Sequence, residues 1–284
     1  VTTTLRTLVT AAELDLLRGR DDVLIIDCRF DLADVDKGER EYLAAHIPGA
    51  VYAHLDRDLS DLSRRELGRH PLPDDDAFSA TLSRWGWRDD MQVVAYDDAN
   101  GALAAARAWW MFRLIGHDRV AVLDGGLAAW RAGGFALESG APRREPSDVQ
   151  VTIDRDAVAW FAEVERGRSD AAALLLDARA NPRYRGEVEP IDTVAGHVPG
   201  AINRPFSENL DANGRFKSEA QLRHEFLTLM RGRAAAQTIH MCGSGVTACH
   251  NLLAMEHAGL AGSRVFAPSW SGWIADSSRA VAAG

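Results

Sequence analysis

The chain repeats itself, and a repeat missed at this stage would misassign the whole fold. Val23-Leu24-Ile25-Ile26-Asp27-Cys28-Arg29 is followed by His46-Ile47-Pro48-Gly49-Ala50, and Leu174-Leu175-Leu176-Asp177-Ala178-Arg179 is followed by His197-Val198-Pro199-Gly200-Ala201. The halves then stay in step. Gln92–Asp97 answers Gln237–Cys242, and the run Val120–Trp130, with its Asp124-Gly125-Gly126, answers Arg264–Trp273. Short apolar runs alternating with longer helical patterns argue for parallel strands joined by crossover helices, so each half reads as an α/β domain with a mainly parallel sheet flanked by helices. Residues 140–148 hold Gly140, Pro142 and Pro146 among charged residues, the composition of an exposed linker. The expected domains are therefore residues 1–139 and 149–284.

Composition narrows the class of function. The 284 residues carry 41 Asp plus Glu against 32 Lys plus Arg, a net charge of -9 that is a poor electrostatic footprint for nucleic acid. No stretch approaches the ~20 apolar residues of a membrane span. The three cysteines, Cys28, Cys242 and Cys249, suit neither a disulfide framework nor a zinc ribbon, and no metal-ligand cluster or cofactor motif is visible. Val1-Thr2-Thr3-Thr4-Leu5 lacks the basic and apolar regions of a secretory leader, so a cytoplasmic location with reduced thiols is expected.

In open parallel sheets ligands bind beyond the carboxyl ends of the strands. The loop after Thr238-Ile239-His240-Met241 reads Cys242-Gly243-Ser244-Gly245-Val246-Thr247 and leads into a helical run from Ala248. A thiol at a helix N-terminus faces unpaired N–H groups and the positive end of the dipole, which favours the thiolate. A lone cysteine beside a tight turn is as readily a buried structural residue. The repeat tips the balance, because the equivalent position in the first half is Asp97, so the fold does not require cysteine there. Cys242 is the candidate nucleophile. His46 and His197 occur in both halves although only one holds a nucleophile, so a structural role is expected for them. Neither Cys28 nor Cys249 is expected to react.

A duplicated domain with a silent first copy and a cysteine loop in the second resembles the two-domain rhodanese-like sulfurtransferases, over nearly the whole chain. Within that family, loops with basic side chains after the cysteine belong to thiosulfate enzymes, whereas Cys-Gly-Ser-Gly-Val-Thr is similar to that of 3-mercaptopyruvate sulfurtransferases. The resemblance implies a Cys242 persulfide that passes sulfur from a small-molecule donor to cyanide or to a thiol, either a small one or that of a thioredoxin-like protein. It also implies that Ser244 works with His70 and Asp56 as a serine-protease-like relay, and that Arg183 grips the donor carboxylate. Arg185 either shares that task or pairs with Glu187 or Glu189. Gly243, Gly245, Val246 and Thr247 would line the substrate, with Thr247 and the loop N–H groups stabilising the sulfur anion. Two departures stand out. Ile191 occupies the place after Glu189-Pro190 where mercaptopyruvate enzymes of the best-known type carry a second arginine, and Pro268 and Gly272 replace Gly and Glu, read here as structural changes. Thiosulfate is the alternative donor, and a non-catalytic persulfide relay module the alternative class. A Cys-x5-Arg phosphatase is disfavoured, because Ala248 stands where the arginine belongs.

Overall fold

Val, Ile and Leu runs too short for helices and apolar on every residue belong in sheets covered on both faces. In the computed structural model, which describes residues 4–142, 144–170 and 173–284, they are the strands of two five-stranded sheets. Val1 to Thr3, read above for a leader, and Arg143 of the linker lie outside the described residues. The first sheet contains β1 (Leu8–Val9), β2 (Val23–Asp27), β3 (Val51–Tyr52), β4 (Gln92–Tyr96) and β5 (Val120–Leu123), in the order β1-β5-β4-β2-β3. The second contains β6 (Val158–Ala159), β7 (Leu174–Asp177), β8 (Ile202–Asn203), β9 (Thr238–Met241) and β10 (Arg264–Phe266), in the matching order β6-β10-β9-β7-β8. All pairings are parallel.

The chain divides into two compact units. One comprises residues up to Asp61 together with Leu72–Asp154, and the other comprises Leu62–Pro71 together with Arg155–Gly284. Ten residues from the first half of the sequence thus belong to the second unit.

Each unit has its own core. In the first, Ile25, Val94, Tyr96, Leu123 and Trp130 pack together; in the second, Leu175, Ile239, Met241, Phe266, Trp270 and Trp273 do so. The repeat extends to polar detail. Arg29 is paired with Asp27 and Arg179 with Asp177, each at 2.7 Å and each buried, and each guanidinium also donates to a backbone carbonyl, Ala45 or Gly196. A buried ion pair at this position therefore belongs to the fold rather than to the chemistry of one copy. His46 and His197 likewise bond through Nδ1 to the carbonyls of Tyr42 and Tyr184 and stack on those same rings, the structural role expected of them.

Strand order reverses direction between β2 and β4, and equally between β7 and β9, which opens a crevice at their carboxyl ends. Asp97 and Cys242 are the first residues beyond β4 and β9. Their carbonyls accept equivalent N–H bonds, from Leu127 at 2.9 Å and from Trp270 at 3.0 Å. In the first unit the Asp97 carboxylate closes the loop on itself, accepting from the N–H groups of Ala99, Gly101, Leu103, Ala104 and Ala105. Burial pushes its pKa up, and those N–H groups pull against that shift. In the first unit, a carboxylate of the chain itself thus takes up the loop's N–H groups.

Candidate active site

Cys242 is only 2% exposed, at the end of the central strand of the second sheet. Its N–H donates to Ser269 Oγ at 3.1 Å, and the Gly243 carbonyl accepts from the Ser271 N–H at 2.9 Å, so the loop is pinned from the 269–271 side. Gly245 has φ of +77°, and a Cβ there would lie 2.4 Å from the Ala267 carbonyl oxygen. Only glycine fits. Behind the loop runs the helix Ala248–His257, with Val246 buried and Thr247 half-buried just before its first turn.

Cys249 lies inside that helix, fully buried, its Sγ 3.4 Å from the Gly245 carbonyl oxygen. In the first unit, burial and then the charges of Asp97, Asp27 and Asp58 push the Cys28 thiol well above its ordinary range.

Sequence reasoning did not single out Ser269. Its φ of +51° is unusual for a residue other than glycine, and its counterpart in the first unit is Gly126, at +57°. That alignment of serine with glycine was the available signal. The hydroxyl accepts from Cys242 N–H and donates to the Phe266 carbonyl at 2.9 Å, a pairing that justifies the strain. Ser269→Ala keeps the strain and orphans a buried N–H, so unfolding free energy should fall by about 1–3 kcal/mol. Ser269→Gly loses the same bond but relieves the left-handed backbone, and should recover about 1–2 kcal/mol of that loss. Urea titration of the two variants compares them directly; equal losses would mean that the backbone here is unstrained.

The segment Leu62–Pro71 brings His70 to the loop. Gly68, with φ of +104°, packs so closely that a Cβ would lie 2.6 Å from the Pro268 carbonyl oxygen, and the Arg69 N–H donates to Ser271 Oγ at 3.0 Å. A Cβ on Gly272 would meet Gly68 N at 3.3 Å and Pro268 Cβ at 2.5 Å, so Gly272 leaves room for this segment. The result is a buried contact: His70 Nδ1 lies 2.8 Å from Ser244 Oγ. Asp56 belongs to the first unit, on the short helix Leu55–Asp58, where its N–H donates to His54 Nδ1 at 3.1 Å.

Arginines and carboxylates surround Gly243. Arg183 directs Nε and Nη2 at the Glu189 carboxylate, at 3.2 and 2.7 Å, and Nη2 also reaches Asp192 at 3.1 Å. The other oxygen of Asp192 accepts from Arg69 Nη1 at 2.6 Å. Burial alone would raise the Glu189 carboxyl, but Arg183 and the N–H groups of Asp192 and Ile191 hold it below the ordinary carboxylate range. A Cβ on Gly243 would have Arg69 Nη2 at 3.2 Å and Arg183 Nη1 and Nη2 at 3.7 Å. Arg185 instead pairs with Glu187 at 3.0 Å, both side chains about half exposed, and the Ile191 side chain is exposed. Arg69 and Asp192 were not singled out from the sequence, in which nothing joins them. Arg179 was noticed only as part of the repeat; burial opposes its charge, but Asp177, Glu189 and Cys242 favour it, leaving a fixed positive charge near the thiol. Among the described residues no cluster of His, Cys, Asp and Glu could hold a metal ion, and no helix is long and apolar enough to cross a membrane.

Comparison with known proteins agrees with this picture. The rhodanese-like domain family matches residues 10–133 and 161–276. A Pseudomonas aeruginosa protein named "Probable 3-mercaptopyruvate sulfurtransferase" is 49% identical over 279 residues, 98% of each chain. The thiosulfate sulfurtransferase of Cricetulus griseus is 33% identical, covering 88% of this chain and 84% of its own. The solved 3-mercaptopyruvate sulfurtransferase from Leishmania major superposes with a TM-score of 0.82 at 30% identity, over 94% of this chain and 73% of its own. A repeat visible in strand, loop and ion pair, matched in both copies by one domain family, makes this chain a two-domain rhodanese-like sulfurtransferase, an enzyme of the 3-mercaptopyruvate and thiosulfate type.

Proposed function

We propose that the sulfur donor is 3-mercaptopyruvate and that Cys242 carries the sulfur as a persulfide. The observation that carries this reading is the 2.8 Å contact of Ser244 Oγ with His70 Nδ1, two residues beyond the cysteine. Mercaptopyruvate holds a proton on sulfur that must reach carbon, and a hydroxyl paired with an imidazole can move it. Thiosulfate has no such proton. Charge supports the same choice: Arg69 and Arg183 near Gly243 are offset by Asp192 and Glu189, which suits a monoanionic carboxylate better than a dianion.

In the proposed reaction the Cys242 thiolate attacks the donor sulfur. The C–S bond breaks with its electron pair left on carbon, as the enolate of pyruvate. The donor's thiol proton passes through Ser244 and His70 to that carbon, so a Cys242 persulfide anion and pyruvate result. Thr247 and the loop N–H groups stabilise the persulfide. A thiolate or cyanide then takes the outer sulfur and restores Cys242. Thioredoxin-like proteins and small thiols are the acceptors we infer, in the reducing cytoplasm that suits three free cysteines. The role of Asp56 as the carboxylate of the relay rests on the resemblance, and Arg185, paired with Glu187, is assigned no part in binding.

The test is pyruvate release from mercaptopyruvate against sulfite release from thiosulfate, with one acceptor. We expect the larger kcat/KM with mercaptopyruvate. A larger value with thiosulfate would reverse the donor assignment and leave the persulfide mechanism standing.

A further inference from the structure

The amino ends of β2, β3 and β4, away from the Asp97 loop, border a hollow of about 620 Å³, a size that takes a small organic ligand. Val23, Ile25, Pro48 and Met91 give it apolar surface. Gly19 and Gly49 also line it, and a Cβ on either would meet no atom within 4 Å. The fold itself leaves space here. In the second unit Ala173, Leu175, Pro199 and Gly200, which match Val23, Ile25, Pro48 and Gly49 in the repeat, line a smaller hollow of about 140 Å³.

What the first unit adds is an arginine from the linker. The chain reaches the hollow over Gly86, where a Cβ would lie 2.5 Å from the Glu145 carbonyl oxygen, and the Ser147 N–H donates to the Ser83 carbonyl at 2.9 Å. Arg144 is half-buried and has no carboxylate partner among the described residues; Nη2 reaches only the Val23 carbonyl, at 3.5 Å. Arg20 and Arg88 line the same hollow, but Asp22 and Asp90 hold them. Burial and the charge of Arg88 pull the Arg144 pKa below the ordinary arginine range, against the opposing pull of Asp21. A guanidinium half-removed from water beside a second one is stabilised by any anion that pairs with it.

We propose that this hollow binds a small organic carboxylate with an apolar body, Arg144 holding the carboxylate and Val23, Ile25 and Met91 the body. One unpaired guanidinium matches one negative charge, and Asp21 and Glu145 on the same lining disfavour a phosphate dianion. The site lies within the unit that lacks the nucleophile and stands whichever sulfur donor the enzyme uses.

Isothermal titration with phenylbutyrate as the probe reads the affinity, and methyl NMR of Ile25 and Met91 reads the place. The wild type should bind one probe, with shifts at both methyl groups. Arg144→Gln should weaken binding about 10- to 100-fold, as expected for loss of charge-assisted hydrogen bonds, and Arg144→Lys, which keeps the charge without the fork, should fall between. Phenylbutanol, which has the body without the charge, and acetate, which has the charge without the body, should both bind more weakly than phenylbutyrate. Unchanged affinity in Arg144→Gln, or shifts absent from Ile25 and Met91, would overturn the proposal. Phenylbutanol binding as tightly as phenylbutyrate would also overturn it, because the hollow would then be apolar space only. So would a wild type that binds no probe at millimolar concentration.

Discussion

Cys242→Ser is expected to abolish sulfur transfer from either donor, because serine is neither comparably nucleophilic nor able to store a sulfur atom as a persulfide. The loss should reach the detection limit in kcat. The fold should survive, since the side chain is small and the two backbone bonds of Cys242, to Ser269 Oγ and from Trp270 N–H, do not involve sulfur. Mass spectrometry of the wild type, treated with donor in the absence of acceptor, should find one added sulfur on the peptide carrying Cys242. Since Cys249 lies in the same stretch of chain, fragmentation must separate the two. Sulfur found on Cys249 would move the nucleophile seven residues down the helix. Cys28→Ser and Cys249→Ser should keep most activity.

The second large effect concerns the proton. General acid–base assistance is typically worth about 10²- to 10⁴-fold, and Ser244→Ala and His70→Ala should each cost that much in kcat for mercaptopyruvate. The double variant should cost little more than either single one, because removing one member of a relay already disables it. Losses that multiply would mean that Ser244 and His70 act separately, and that their 2.8 Å contact is only packing. Asp56→Asn enters the same cycle. If Asp56 serves the relay, pairing it with His70→Ala adds nothing to His70→Ala alone; independent losses would remove it.

Both effects depend on residues whose visibility in the sequence was unequal. The strands could be read because a strand buried on both faces is a local apolar run. The equivalence of Asp97 and Cys242 followed from counting along two such runs. The structure keeps that count: Leu127 and Trp270 donate to the two carbonyls in the same way. His70 was reachable by resemblance, but nothing in Gly68-Arg69-His70 indicates that ten residues of the first half belong to the second unit. The arginines were harder still. Arg183 and Arg185 stand two residues apart and look alike in sequence, yet one lies beside Gly243 and the other pairs with Glu187.

The sequence by itself therefore determined the two α/β copies and the Asp97 and Cys242 loops, because each is written in local periodicity or in one residue at a repeated position, while the class of chemistry came from the resemblance that those loops carry. Only the tertiary structure decided which side chains meet at the Cys242 loop. A hydrogen bond joins atoms within about 3 Å whatever their separation along the chain. Ser244 meets His70 across 174 residues, and Asp192 meets Arg69 across 123. Which arginines Glu189 and Asp192 hold depends on where the fold brings those carboxylates to rest, and no spacing in the sequence encodes that.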